Sequence, residues 1–247
     1  MFKTVNALVL REVRYKEADR ILTLLTDTDG KITVKARGAL RKSSKTAAAT
    51  QQLTYSEMTL FGNLGRWTVN EATVKEGFDG LRTDIGSFAL GCYFAECADA
   101  LSVEDQPDAP LMQLALNCLY ALSRGMYTPE HIKAAFELRL MCLAGYTPEL
   151  SHCAVCGEEE PGDPVLMLER GCVCCRRCAA GAGQTVKLDA ASLNAMRHIC
   201  SVSPKQILSF SLEGEGAKSL SAAAEEYLLL HTERRFPTLD YWKNVKI

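Results

Sequence analysis

Cys153-Ala154-Val155-Cys156-Gly157 opens, and Cys172-Val173-Cys174-Cys175-Arg176-Arg177-Cys178 closes, a stretch in which fifteen residues stand between Cys156 and Cys172. Two Cys-x-x-Cys pairs at this separation bring four thiolates to one tetrahedral ion, which is how a structural zinc ribbon is built. The second pair is either Cys172 with Cys175 or Cys175 with Cys178; we take Cys175 and Cys178, leaving Cys172 and Cys174 as non-ligands. A segment this short cannot hold a hydrophobic core, so the ion supplies its folding energy. Four thiolates leave no open position for water, and the site is therefore structural rather than catalytic.

On the amino-terminal side of the ribbon the apolar residues recur at helical spacing. Ile85, Phe88, Cys92 and Ala95 form one face, and Leu111, Leu114, Ala115, Cys118, Leu119 and Leu122 another, with Glu104 to Pro110 as the linker. A third helix is expected from Thr128-Pro129, cap and first helical residue, through Ile132, Phe136, Leu140 and Leu143 to Gly145 and Pro148. Beyond the ribbon, Asp189 caps a helix through Leu193 and Met196, and a last helix carrying Leu220, Ala224, Tyr227, Leu228 and His231 is expected to end at Pro237. The ribbon thus reads as an insert in a helical domain.

Residues 1–80 carry a different period. Thr4–Leu10, Arg20–Thr26, Lys31–Gly38, Leu53–Leu60 and Arg66–Glu71 read as about five short strands, the last two joined by Phe61-Gly62-Asn63-Leu64-Gly65. In the third, Ile32, Val34 and Ala36 face a core while Lys31, Thr33, Lys35 and Arg37 share the other face. A small β-barrel or sandwich is the natural closure. The fold class is α+β multidomain, with boundaries at 1–80, 81–150, 151–186 for the ribbon, and 187–247.

Composition agrees with a soluble protein: 247 residues, 47% hydrophobic and 23% charged. No apolar run reaches membrane-spanning length and no secretory leader is read, so a cytoplasmic location is expected and the eleven cysteines are expected as thiols. Cys92, Cys97, Cys118, Cys142 and Cys200 are then small core residues. The net charge of −2 hides an asymmetry, because residues 1–80 hold 13 Lys and Arg against 9 Asp and Glu, a net of +4. Lys31, Lys35, Arg37, Arg41, Lys42 and Lys45 follow one another with no acidic residue between Gly30 and Ser56, a field that a polyanion would feel. We assign Lys35, Arg37, Arg41, Lys42, Lys45 and Arg66 to nucleic-acid phosphates, with Tyr55, Phe61 and Trp67 as the aromatics available for stacking.

Several pieces together resemble the RecO family of bacterial recombination and repair mediators. They are Lys16-Glu17-Ala18-Asp19-Arg20-Ile21-Leu22-Thr23-Leu24 running into Gly30-Lys31-Ile32 and Ala36-Arg37-Gly38-Ala39, then Phe136-Glu137-Leu138-Arg139-Leu140, then Gly145-Tyr146-Thr147-Pro148-Glu149-Leu150, and the cysteine pairs. The resemblance implies an amino-terminal OB-fold, a helical domain, and a ribbon whose single structural zinc ion is held by Cys153, Cys156, Cys175 and Cys178. It also implies binding of single- and double-stranded DNA and annealing of complementary strands. With RecR, such proteins help RecA replace single-strand-binding protein (SSB) on DNA, and they take the acidic tail of SSB on the helical domain. Arg139, beside Phe136, Leu140 and Leu143, is the residue we assign to that tail. The expected protein is nucleoid-associated and has no membrane partner. Phosphate-binding glycine loops and Ser-His-Asp arrangements are not read anywhere, and no enzyme activity is expected. An alternative is an OB-fold and zinc-ribbon adaptor in transcription or RNA processing.

Overall fold

The computed structural model describes residues 1–63, 65–181 and 183–245; Leu64, in the expected turn between the fourth and fifth strands, lies outside the described residues. The chain divides by packing into Met1–Gly125 with Phe236–Ile247, and Met126–Arg235. The change of period expected near residue 80 falls within the first of these.

In the first unit, β1 (Phe2–Tyr15), β2 (Asp19–Thr26), β3 (Gly30–Ala36), β4 (Tyr55–Asn63) and β5 (Arg66–Glu76) close into a barrel in the order β1-β2-β3-β5-β4. All ladders are antiparallel except β3 with β5, where Val34 lies beside Trp67. This is the five-stranded closure of an OB-fold. Side chains alternate as the pleat requires: Val5, Ala7, Val9, Leu22, Leu24, Ile32, Val34, Ala36, Met58, Leu60 and Val69 fill one interior. β1 is longer than the apolar run Thr4–Leu10 predicts. It pairs with β4 through residues 2–8 and with β2 through residues 7–15, and its register shifts between Val9 and Arg11. Such a bulge bends a strand to serve two neighbours. Because Leu8 and Leu10 are buried on the opposite side, the apolar run is continuous at the bend and gives way to exposed residues beyond it.

A 3-10 turn (Asp79–Thr83) leads to α1 (Ile85–Leu101), whose cap Asp84 accepts the Ser87 amide at 2.6 Å. The expected face of α1 is corrected in part: Ala95 is buried, but Ile85 is 61% exposed and Phe88 and Cys92 are only partly buried, while Leu90, Tyr93, Phe94, Cys97 and Ala98 are buried outside that face. This helix is apolar nearly all round, so periodicity had little contrast with which to find its inner side. α2 (Ala109–Ser123) is capped by Asp108 and carries Pro110 in its first turn. The expected end of the last helix at Pro237 is also corrected. α5 (Gly214–Thr232) stops at Glu233, which takes a left-handed φ of 51°, and Pro237 instead opens a further helix, α6 (Pro237–Val245). α6 packs on α1, with Phe236 edge-on to Tyr93 at 5.7 Å and Thr238 donating its amide to Glu96.

The second unit begins with α3 (Pro129–Leu143), capped by Thr128. Lys133, 1% exposed on α3, is held between Glu137 and Glu225, each carboxylate 2.8 Å from its Nζ. The two carboxylates outweigh burial and hold the ammonium charged. Next in the chain come β6 (Pro164–Met167), β7 (Cys172–Cys175) and β8 (Thr185–Lys187), an antiparallel sheet with β6 in the middle. α4 (Ala190–Ser201) starts in a reciprocal capping box of Asp189 and Ser192, and α3, α4 and α5 pack together. Among the described residues, no helix is long and apolar enough to cross a membrane.

Candidate nucleic-acid groove and four-cysteine centre

On the barrel, a groove of about 790 Å³ is lined by Tyr15, Ile21, Lys35, Arg37, Phe61, Arg66, Trp67 and Thr68, among others. Strand pairing assembles it. β3 presents Lys35 outward between the inward Val34 and Ala36, while Arg66 and Trp67 begin β5 alongside. Trp67 pairs with Gly62 across β4 and β5, and a Cβ built at Gly62 would stand 2.5 Å from the indole ring. Only glycine lets the indole lie down there, against the edge of the barrel core. Phe61 packs against Phe2 with the rings tilted, at 5.0 Å between centroids.

Lys35 of the groove, and two further cations of the barrel, have partners already. Lys35 Nζ lies 2.8 Å from Asp19 and 4.8 Å from the Tyr15 ring. The Lys35 hydrogen bond, followed by the Gly38 amide, holds the Asp19 carboxyl below its usual range. Lys3 sits 3.8 Å over the Trp67 ring and 2.7 Å from Asp29. Lys31, in the same row as Lys35, turns instead to α1 and bonds Asp99. Among the described residues no ion pair engages Arg37, Arg41, Lys42, Lys45 or Arg66.

Of the six assigned cations, the groove gathers Lys35, Arg37 and Arg66. Arg41, Lys42 and Lys45 are exposed on the connection between β3 and β4, and Arg41 runs beside Gly38. Phe61 and Trp67 line the groove; Tyr55, whose phenol is pushed up first by burial, begins β4 away from it. Tyr15 was missed by sequence reasoning, since it lies beyond the expected end of the first strand.

In the second unit, the sulfurs of Cys153, Cys156, Cys175 and Cys178 all lie within 4.8 Å of one another. Cys156 and Cys175 are 3.8 Å apart, the edge of a tetrahedron with metal–sulfur bonds of about 2.3 Å. Burial opposes ionisation of Cys153, but amides of Cys156, Cys175 and Val155 point at its sulfur and bring its thiol down to about 5. Cys178, hydrogen-bonded to Cys156 and partly desolvated, is pushed up to about 12. One thiolate thus suppresses its neighbours until a cation arrives, and the donor set fits a soft divalent ion. Cys172 and Cys174 stand outside the cluster, in β7, with Cys174 3.2 Å from the Met167 sulfur. His152 is also outside, bonded to Ser151. Arg197 of α4, which the sequence did not mark, donates to the carbonyls of Leu150, Ser151 and Glu159 and to the Glu160 carboxylate. It clamps the entry to the ribbon.

Arg139 donates through Nη1 to the carbonyls of Ile199 and Cys200, at 3.2 and 2.9 Å, and so closes the carboxy-terminal end of α4. Glu137, its near neighbour in sequence, is committed to Lys133 rather than to Arg139.

Residues 1–78 match the family described as Recombination protein O N terminal, and residues 82–240 match Recombination protein O C terminal. Among curated proteins, the chain is 30% identical over 240 residues to "DNA repair protein RecO" of Acetivibrio thermocellus, covering 97% of this chain and 96% of the relative. The protein of the same name from Symbiobacterium thermophilum is 30% identical, with 96% and 95% covered. That from Heliobacterium modesticaldum is 33% identical over 236 residues, with 92% and 84% covered.

Proposed function

Because the chain belongs to the RecO family, we propose that it is a non-enzymatic DNA-repair mediator that binds DNA in the barrel groove and anneals complementary strands. The observation that carries this reading is the groove itself, in which Lys35, Arg37 and Arg66 converge with Tyr15, Phe61 and Trp67. Cations follow the phosphates, and the aromatic faces accept bases of any sequence. Neutralising the phosphates also lowers the repulsion between two strands brought together for annealing. Arg41, Lys42 and Lys45 continue the cationic track on the neighbouring connection. Zinc is the ion that four thiolates in this geometry suit, and its part is to hold the ribbon together. In the cell the mediator acts in the cytoplasm at the nucleoid and, with RecR, helps RecA load onto SSB-coated single strands. Arg139 offers the SSB tail only those N–H groups that its bonds to α4 leave over; equal binding of a labelled tail peptide to Arg139→Ala would remove it from that role.

Annealing of complementary oligonucleotides, each precoated with SSB, tests the reading directly. Wild type accelerates annealing and binds single strands with a log-log salt slope of about −3 to −4, for about four to six phosphates neutralised. Arg37→Glu with Arg66→Glu, both exposed side chains, weakens binding while leaving the melting of the barrel unchanged. The triple change Arg41→Glu, Lys42→Glu, Lys45→Glu makes the slope shallower by about one for each phosphate that is no longer neutralised. Unchanged affinity in both variants would sink the groove as the DNA site.

A further inference from the structure

Cys142 and Cys200 were expected as core residues, but the structure places each at a half-buried helix end, one against the other. Cys142 is the last residue but one of α3, and Cys200 the last but one of α4. Their sulfurs are 3.5 Å apart although 58 residues separate them in sequence. Neither belongs to the four-cysteine cluster. Arg139, one turn before Cys142, holds the two helix ends together through its bonds to the carbonyls of Ile199 and Cys200.

We propose that Cys142 and Cys200 are a redox modification site: a hydroperoxide oxidises Cys142, and Cys200 resolves the product to a reversible disulfide. Cys142 is the attacking sulfur because its surroundings favour the thiolate. The contact with Cys200, then the Thr147 hydroxyl and the Arg139 charge, act against the cost of burial and bring its thiol down to about 7. The same bond raises Cys200, which keeps its proton and serves second. In the first step the Cys142 thiolate attacks a peroxide oxygen, an S–O bond forms, the O–O bond breaks, and hydroxide leaves with a proton as water. In the second, the Cys200 sulfur attacks Cys142 Sγ, the S–S bond forms, the S–O bond breaks, and the departing hydroxide takes the Cys200 proton as a second water. Two electrons pass from the thiol pair to the peroxide, and a dithiol reductant reverses the change. The sulfurs need to close from 3.5 Å to about 2.05 Å.

The product would tie α3 to α4 around a loop that contains all four cysteines of the metal cluster. The test treats the metal-loaded full chain with hydrogen peroxide, then maps disulfides by mass spectrometry and counts bound metal. Expected are a Cys142–Cys200 cross-linked peptide, loss of two free thiols, unchanged metal, a higher melting temperature, and reversal by dithiothreitol. Cys200→Ser should stop at a sulfenic acid on residue 142 that dimedone traps, and Cys142→Ser should form neither species. Limited alkylation of untreated wild type needs no variant to fold: Cys142 should react at least about a hundredfold faster than Cys92, whose thiol burial pushes up to about 11. Oxidation of the metal-cluster cysteines ahead of Cys142, a cross-link to another cysteine, or equal alkylation of Cys142 and Cys92 would each overturn the proposal.

Discussion

The barrel and the ribbon hold themselves together by opposite means. In the barrel, aliphatic side chains from all five strands meet in one interior. The ribbon has three strands of three or four residues, and its interior is largely sulfur: Cys153, Cys172, Cys174 and Cys175 with Val165 and Met167. Stability spread over many weak attractions fails gradually, whereas stability concentrated in four donors fails at once. The two regions should therefore answer different insults.

Removing the metal should separate them most sharply. Chelation, or Cys153→Ser, withdraws the binding energy of the site, about 10–16 kcal/mol in isolated zinc peptides, and unfolds the ribbon. Melting of the barrel and single-strand binding should persist, as followed by hydrogen exchange and fluorescence anisotropy. Simultaneous loss of barrel protection would break the contrast. A smaller loss confined to the second unit is expected from Lys133→Met, which takes the ammonium away from the buried Glu137 and from Glu225 at a cost of about 3–5 kcal/mol in urea unfolding. Exchanging all three for apolar residues of similar size should recover most of it.

Acid should sharpen the same division. The carboxyls of Asp19 and Asp29 are held below their usual range in the folded barrel, Asp29 by Lys3 and Thr28 against the burial that opposes them. Their contribution is present above the unfolded carboxylate pKa and is lost as pH falls through the lower folded values. The barrel should thus weaken only below about pH 4. The ribbon should release its ion at a higher pH, because protons compete for every thiolate. A pH titration read by bound metal and by Trp67 fluorescence checks the order. The least change is expected from Asp19→Asn, which frees Lys35 from its carboxylate. Single-strand affinity should rise, by less than about tenfold, with a steeper salt slope.

These two modes of construction also decided what could be read in advance. Alternation revealed the strands and the inward set Ile32, Val34 and Ala36, since a half-buried ladder writes its period into the chain. It failed at the bend in β1, where both faces are covered, and Tyr15 was lost with it. The cysteine set was legible from spacing alone, apart from the ambiguity of Cys172, which three-dimensional convergence removes. Charge pointed to Lys35, Arg37 and Arg66, yet nothing local shows that Asp19 neutralises Lys35 or that Lys31 turns away. The Arg197 clamp and the Glu225 arm of the Lys133 network were invisible for the same reason: these partners are brought in by folding from distant parts of the chain.

Helix α6 packs on α1, although residues 126–235 of the other unit are made between them. On the ribosome, the apolar side of α1 that Phe236, Leu239 and Trp242 are suited to cover must wait until the whole intervening unit has emerged. The barrel unit is begun first and completed last. A premature stop between residues 126 and 235 would release a nascent chain whose first-made part still shows an unsheathed helix, a signal that chaperones and proteases can read long before any DNA is met.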